Sequence, residues 1–129
     1  MTAPGWIGSL VGEFGRSAGI RNFALNAQGV AAISFETGLS LRFEYVEGSL
    51  VISVTVPAPA TDAAARSLLS RAHPDARFGL KVRAGWLARS SRAVFAIRLA
   101  EREVTLPAIN AAFNALWRIG MEYGGETWA

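Results

Sequence analysis

From Leu39 to Val56 apolar side chains occupy every second position. Leu39, Leu41, Phe43 and Tyr45 alternate with Ser40, Arg42 and Glu44, and after Glu47-Gly48 the rhythm resumes at Leu50, Ile52, Val54 and Val56. Successive side chains of a strand point to opposite faces, so this period of two makes a sheet with one apolar and one polar face. A parallel sheet, buried on both faces, would instead show continuous apolar runs. Ala31, Ile33 and Phe35 carry the same alternation into a turn at Glu36-Thr37-Gly38, which predicts an antiparallel meander of three strands. Pro57 ends it, because proline has no N–H to give to a ladder.

The flanking segments change period. Ile7, Leu10, Val11 and Phe14 recur at helical spacing and predict a helix over about Trp6 to Ser17, closed by Gly19 and Asn22. Gly8, Gly12 and Gly15 fall together beside that stripe. Each costs about 0.5–1 kcal/mol against alanine, so packing must hold this helix. The glycines fit either close packing of the helix backbone on the sheet or a shallow shelf for a partner chain. A second helix is expected from Asp62 to Ala72, with Thr61 as its N-cap, Ala65, Leu68, Leu69 and Ala72 on one face, and Pro74 as its stop. A hairpin follows, with Phe78, Leu80, Val82 and Ala84 on one arm, Phe95, Ile97 and Leu99 on the other, and Arg89-Ser90-Ser91-Arg92 at the turn. The last helix opens near Pro107 after Thr105, carries Ile109, Ala112, Phe113, Leu116, Ile119 and Tyr123 on an arc that reaches Trp117, and ends at Gly124-Gly125. The expected class is α+β in the order α-β-β-β-α-β-β-α, a twisted antiparallel sheet with terminal helices packed on it.

Length and composition fit a single domain over residues 1–129: 51% of side chains are hydrophobic and there is no cysteine. No run approaches the ~20 apolar residues of a membrane helix, and the start lacks a basic region followed by an apolar stretch. A cytoplasmic location without membrane contact is expected. Charge is unevenly placed: between Arg66 and Arg98 eight basic residues face Asp75 alone. That segment could meet an acidic partner or nucleic acid, or form a solvated surface.

Reactive chemistry is sparse. His73 is the one histidine, and without cysteine no conventional zinc site can form. No Gly-x-Ser-x-Gly elbow nominates a nucleophile, and Gly8-Ser9-Leu10-Val11-Gly12 lacks the Lys-Ser/Thr of a phosphate loop. No catalytic residue, metal or cofactor is expected. Lys81, Arg83 and Arg98 would share one hairpin face, but few aromatics lie there for base stacking, so nucleic acid is not the expected partner. The residues alone point to a non-catalytic binding domain.

The chain resembles the class I type III secretion chaperones, small dimeric effector chaperones with the same element order. The resemblance spans about residues 6 to 123. It is carried by Leu10-Val-Gly-Glu-Phe-Gly15, by Gly29-Val-Ala-Ala-Ile-Ser-Phe35 running into Leu39-Ser-Leu-Arg-Phe-Glu-Tyr45, and by Ile109-Asn-Ala-Ala-Phe-Asn-Ala-Leu-Trp117. It implies a homodimer, without cofactor or catalysis, that holds the N-terminal region of a secreted effector in extended, secretion-competent form. It also implies an effector-binding surface at Trp6, Leu10, Val11, Phe14, Ile33 and Phe35, and a dimer interface at Ala65, Leu68, Leu69, Leu80, Val82 and Trp86. Members of that family are usually acidic, whereas this chain has a pI near 10.2. The departure implies an acidic effector segment or another task. The alternative reading is a regulatory or nucleic-acid-binding protein of the same fold that uses the basic segment 66–98.

Overall fold

The computed structural model describes residues 2–58, 61, 63, 64, 66 and 81–124. Helix α1 (Gly5–Ser17) leads into strands β1 (Val30–Ser34), β2 (Ser40–Val46) and β3 (Ser49–Pro57), followed later by β4 (Val82–Leu87), β5 (Arg92–Ala100) and helix α2 (Leu106–Gly124). The meander forms as its alternation predicts, with Leu41 opposite Val54 and Phe43 opposite Ile52. Glu47 and Gly48 turn β2 into β3 with φ of 48° and 75°, the two positive values of a type I′ turn.

The strand order is β1-β2-β3-β5-β4, antiparallel between all neighbours. The chain therefore passes from β3 to the far edge before β5 returns between them, which leaves β3 and β4 parallel. Between them Thr61 caps a helical start as expected: its Oγ1 accepts the Ala64 N–H at 3.2 Å, and Ala63, Ala64 and Arg66 are helical. Leu68, Leu69 and Ala72 of that expected helix lie outside the described residues, as do Ala65, Phe78 and Leu80.

Helix α1 ends in a glycine-centred cap. Gly19 adopts φ 74°, the Gly19 N–H reaches Arg16 O, and the Ile20 N–H reaches Gly15 O at 2.8 Å. The chain then doubles back so that Phe23 lies against the helix. A Cβ built on Gly15 would stand 2.7 Å from Phe23 Cβ, so the glycine permits this approach. At Gly8 nothing lies within 4 Å of such an atom. Of the two readings of the glycines, close packing holds at Gly15 against a loop rather than the sheet, and Gly8 faces open space.

Both helices lie on the apolar face of the sheet. Phe14 of α1 meets Phe43 of β2 and Phe113 of α2 at ring separations of 5.1 Å each, and Tyr123 of α2 meets Phe95 of β5 at 5.4 Å. Gly120 brings α2 down on the sheet, since a Cβ there would stand 2.8 Å from Leu39 Cδ2 and 3.0 Å from Val54 Cγ1. Thr105 starts α2 by accepting the Ala108 N–H at 3.1 Å. Tyr123 Oη donates to Ala64 O at 2.9 Å in a buried position and ties α2 to the capped helical start. On the opposite face Arg92 clamps three segments, donating to Gly38 O at 2.6 Å and to Thr55 O and Oγ1 at 3.1 Å.

Candidate functional site

The α1 stripe grades from solvent to core. Trp6, Leu10 and Phe14 are spaced four residues apart and stack along one face. Trp6 is 48% exposed, Leu10 is half-buried and Phe14 is enclosed. Val11 and Phe14 are 0% and 1% exposed, and their side chains are spent on the core. The expectation that both touch an effector is corrected: Phe14 is closed over by Phe23, Phe43 and Phe113, so a partner could reach it only by opening the fold.

Ile33 and Phe35 remain half-exposed. Ile33 sits on β1 opposite Leu41, and Phe35 just past the strand stacks edge-on against Trp117 of α2 at 5.1 Å. Trp117 in turn meets Phe113 at 5.6 Å, and Phe113 meets Phe14. A continuous aromatic line thus runs from the α1–α2 contact out to the β1 edge. Phe113 and Trp117 appear in the sequence only as part of the last helix's apolar arc, and nothing local reveals that they join Phe35. Beside this line β1 is an outer strand: it pairs with β2, and among the described residues no strand pairs with its other side.

At the opposite edge, Val82 is 2% exposed and faces the core, which corrects its expected place in a dimer interface. Trp86 is half-buried on the same strand and Leu87 is 44% exposed. Ala65, Leu68, Leu69 and Leu80 lie outside the described residues.

Ionisable chemistry at these surfaces is slight. Burial raises the Tyr45 phenol above its ordinary pKa, and the nearby charge of Glu101 and a hydrogen bond to it act in the same direction. Among the described residues no group of three His, Asp or Glu side chains could hold a metal ion, and no helix is long and apolar enough to cross a membrane.

The described residues thus place half-exposed aromatics beside an outer strand of an α+β scaffold. The model of a protein family described as the type III secretory system chaperone SycN matches residues 6–123. The chain belongs to that family. Its fold is that of solved structures at low sequence identity. The ExsC–ExsE complex superposes with a TM-score of 0.76 at 17% identity, covering 96% of this chain and 95% of the other. The HopA1–SchA chaperone–effector complex gives 0.69 at 16%, covering 92% of each. The Yersinia pestis type III secretion chaperone SycH, bound to a fragment of YscM2, gives 0.70 at 13%, covering 91% of this chain and 98% of the other. No curated protein matches the chain in sequence.

Proposed function

We propose that this protein is a class I type III secretion chaperone: a single-domain cytoplasmic homodimer that holds the N-terminal segment of a secreted effector extended and secretion-competent, without catalysis. The observation that carries the reading is the apolar surface offered by Trp6 and Leu10 on α1 and by Ile33, Phe35 and Trp117 near β1, an outer strand that no described strand flanks on its other side, although Val30 there is already bonded to Asn26. An extended client can add its backbone to that edge, where main-chain hydrogen bonds supply affinity. Its apolar side chains settle against the aromatic line, which supplies selection. Such a task needs surface rather than a reaction centre. Support comes from the superposed HopA1–SchA structure, itself a chaperone–effector complex. In this reading the homodimer forms at the β4 edge through Trp86, together with Ala65, Leu68, Leu69 and Leu80. A two-fold contact of that kind uses one patch twice.

Affinity capture from the native cell, followed by identification of the retained polypeptide and limited proteolysis of the complex, tests the proposal. One client should be recovered, with its N-terminal segment protected. Trp6→Asp removes an exposed anchor and should weaken client retention about tenfold or more, while the mass of the dimer and the unfolding midpoint stay unchanged. A strictly monomeric protein that retains no client overturns the reading.

A further inference from the structure

The sheet face turned away from both helices carries a charge pattern that the client strip does not use. Register places Arg42, Ser53, Ala96 and Arg83 in one row across β2, β3, β5 and β4. Strands lie about 4.8 Å apart, so the two arginines stand about 14 Å from each other. Along β5 on the same face, Arg92 and Arg98 are separated by about 20 Å at ~3.4 Å per residue. Between the four lies a floor of short side chains, Ser53, Ala96 and Val94. A helix about 10–12 Å across, or a pair of strands, fits within that frame.

The arginines are not equally committed. Arg92 is turned inward to backbone oxygens, Arg98 donates its Nε to Ser49 Oγ at 2.9 Å, and Arg42 is paired with Glu44 at 2.9 Å. Arg83 is exposed and makes no hydrogen bond or ion pair with the described residues. Glu44 is the one carboxylate among the described strand residues of this face.

We infer that this sheet face, which no described helix covers, docks an acidic polypeptide segment, one that lays small or aliphatic side chains on the Ser53–Ala96–Val94 floor and aims carboxylates at Arg83 and Arg98. A second copy is disfavoured as occupant, because a face-to-face pair would set arginine against arginine and like charges across an interface repel. Nucleic acid is disfavoured by the absence of any aromatic side chain among the described strand residues of this face. The inference rests on the chaperone reading in taking a polypeptide as the occupant, and it requires that the homodimer contact proposed at the β4 edge leave Arg83 uncovered. It names a second surface, on the other side of the sheet from Trp6 and Phe35.

The probe is a displayed library of randomised linear peptides, panned on the full chain and on Arg83→Glu and Arg83→Lys variants whose unfolding midpoints match the wild type. Peptides recovered on the wild type should be enriched in Asp and Glu, and the best of them should bind Arg83→Glu about five- to tenfold more weakly and Arg83→Lys nearly normally. Three results overturn the inference: no acidic enrichment, equal affinity for Arg83→Glu, or displacement of the peptide by a single-stranded oligonucleotide that binds more tightly. Failure here with client protection intact removes this surface alone. Loss of client capture by the wild type, with acidic selection retained, removes the chaperone reading alone.

Discussion

Two glycines of α1 invite the same substitution and should answer it with opposite signs. Replacing a helical glycine by alanine gains about 0.8–1 kcal/mol from the reduced freedom of the unfolded chain and better helix propensity. At Gly8 nothing opposes that gain, because a Cβ would meet no atom within 4 Å. At Gly15 the same atom would stand 2.7 Å from Phe23 Cβ, 3.2 Å from Phe23 O and 3.5 Å from Ile20 O. A Cβ and two carbonyl oxygens cannot swing aside as the tip of a long side chain can, so helix and loop must separate. Phe23 also holds Phe43 at 5.1 Å and Phe14 at 6.0 Å, which carries the displacement into the core. Overpacking of this kind costs about 1–3 kcal/mol. Gly8→Ala should therefore stabilise by about 0.5–1 kcal/mol, and Gly15→Ala should destabilise by about 1–2 kcal/mol. Urea unfolding of both variants and the wild type, at one protein concentration because association feeds into apparent stability, reads the difference as shifted midpoints at constant slope. A Gly15→Ala midpoint at or above that of the wild type would show that the helix and the Phe23 loop do not meet as described.

Other expectations are narrower. Tyr123→Phe deletes the buried hydrogen bond to Ala64 O and should cost about 1–2 kcal/mol in the same unfolding assay. Arg92→Met keeps much of the side-chain bulk but strips Gly38 and β3 of the cationic donor that β5 lends them, and a loss of about 2 kcal/mol is expected, with faster hydrogen exchange around Gly38. The folded chain favours the neutral Tyr45 phenol. Its contribution to stability is thus complete below the ordinary pKa of 10.0 and is lost as pH rises through the raised folded value. Ultraviolet titration of the wild type against Tyr45→Phe should show that the phenolate lost in the variant is one that appears later than in free tyrosine.

Some of this molecule is legible in its sequence, for reasons that separate cleanly. The β2–β3 hairpin is readable because three local signals agree: the period of two, the Glu47-Gly48 turn and the closing Pro57. Thr61 and Thr105 are readable as caps because a hydroxyl before a helix satisfies an N–H only a few residues away. The placing of β5 between β3 and β4 has no such local signature, since any strand of suitable pattern can pair with an open edge. The division of the α1 stripe is hidden for a similar reason. Leu10 and Phe14 are both apolar residues on one helical face, and only the arrival of Phe113 from the far end of the chain encloses one and leaves the other half-open.

The insertion of β5 also sets a timetable for synthesis. A ribosome adds roughly 5–20 residues each second, so β3 emerges and waits some seconds for the strand that will occupy its second side. Until Ala100 has cleared the exit tunnel, the nascent chain presents a valine-rich border with unmet hydrogen-bonding groups, and β4 has nowhere to settle. Pairing of β5, not the first hairpin, is thus the step that takes the second side of β3 out of reach of neighbouring chains on a polysome, while the apolar face of the sheet still waits for α2.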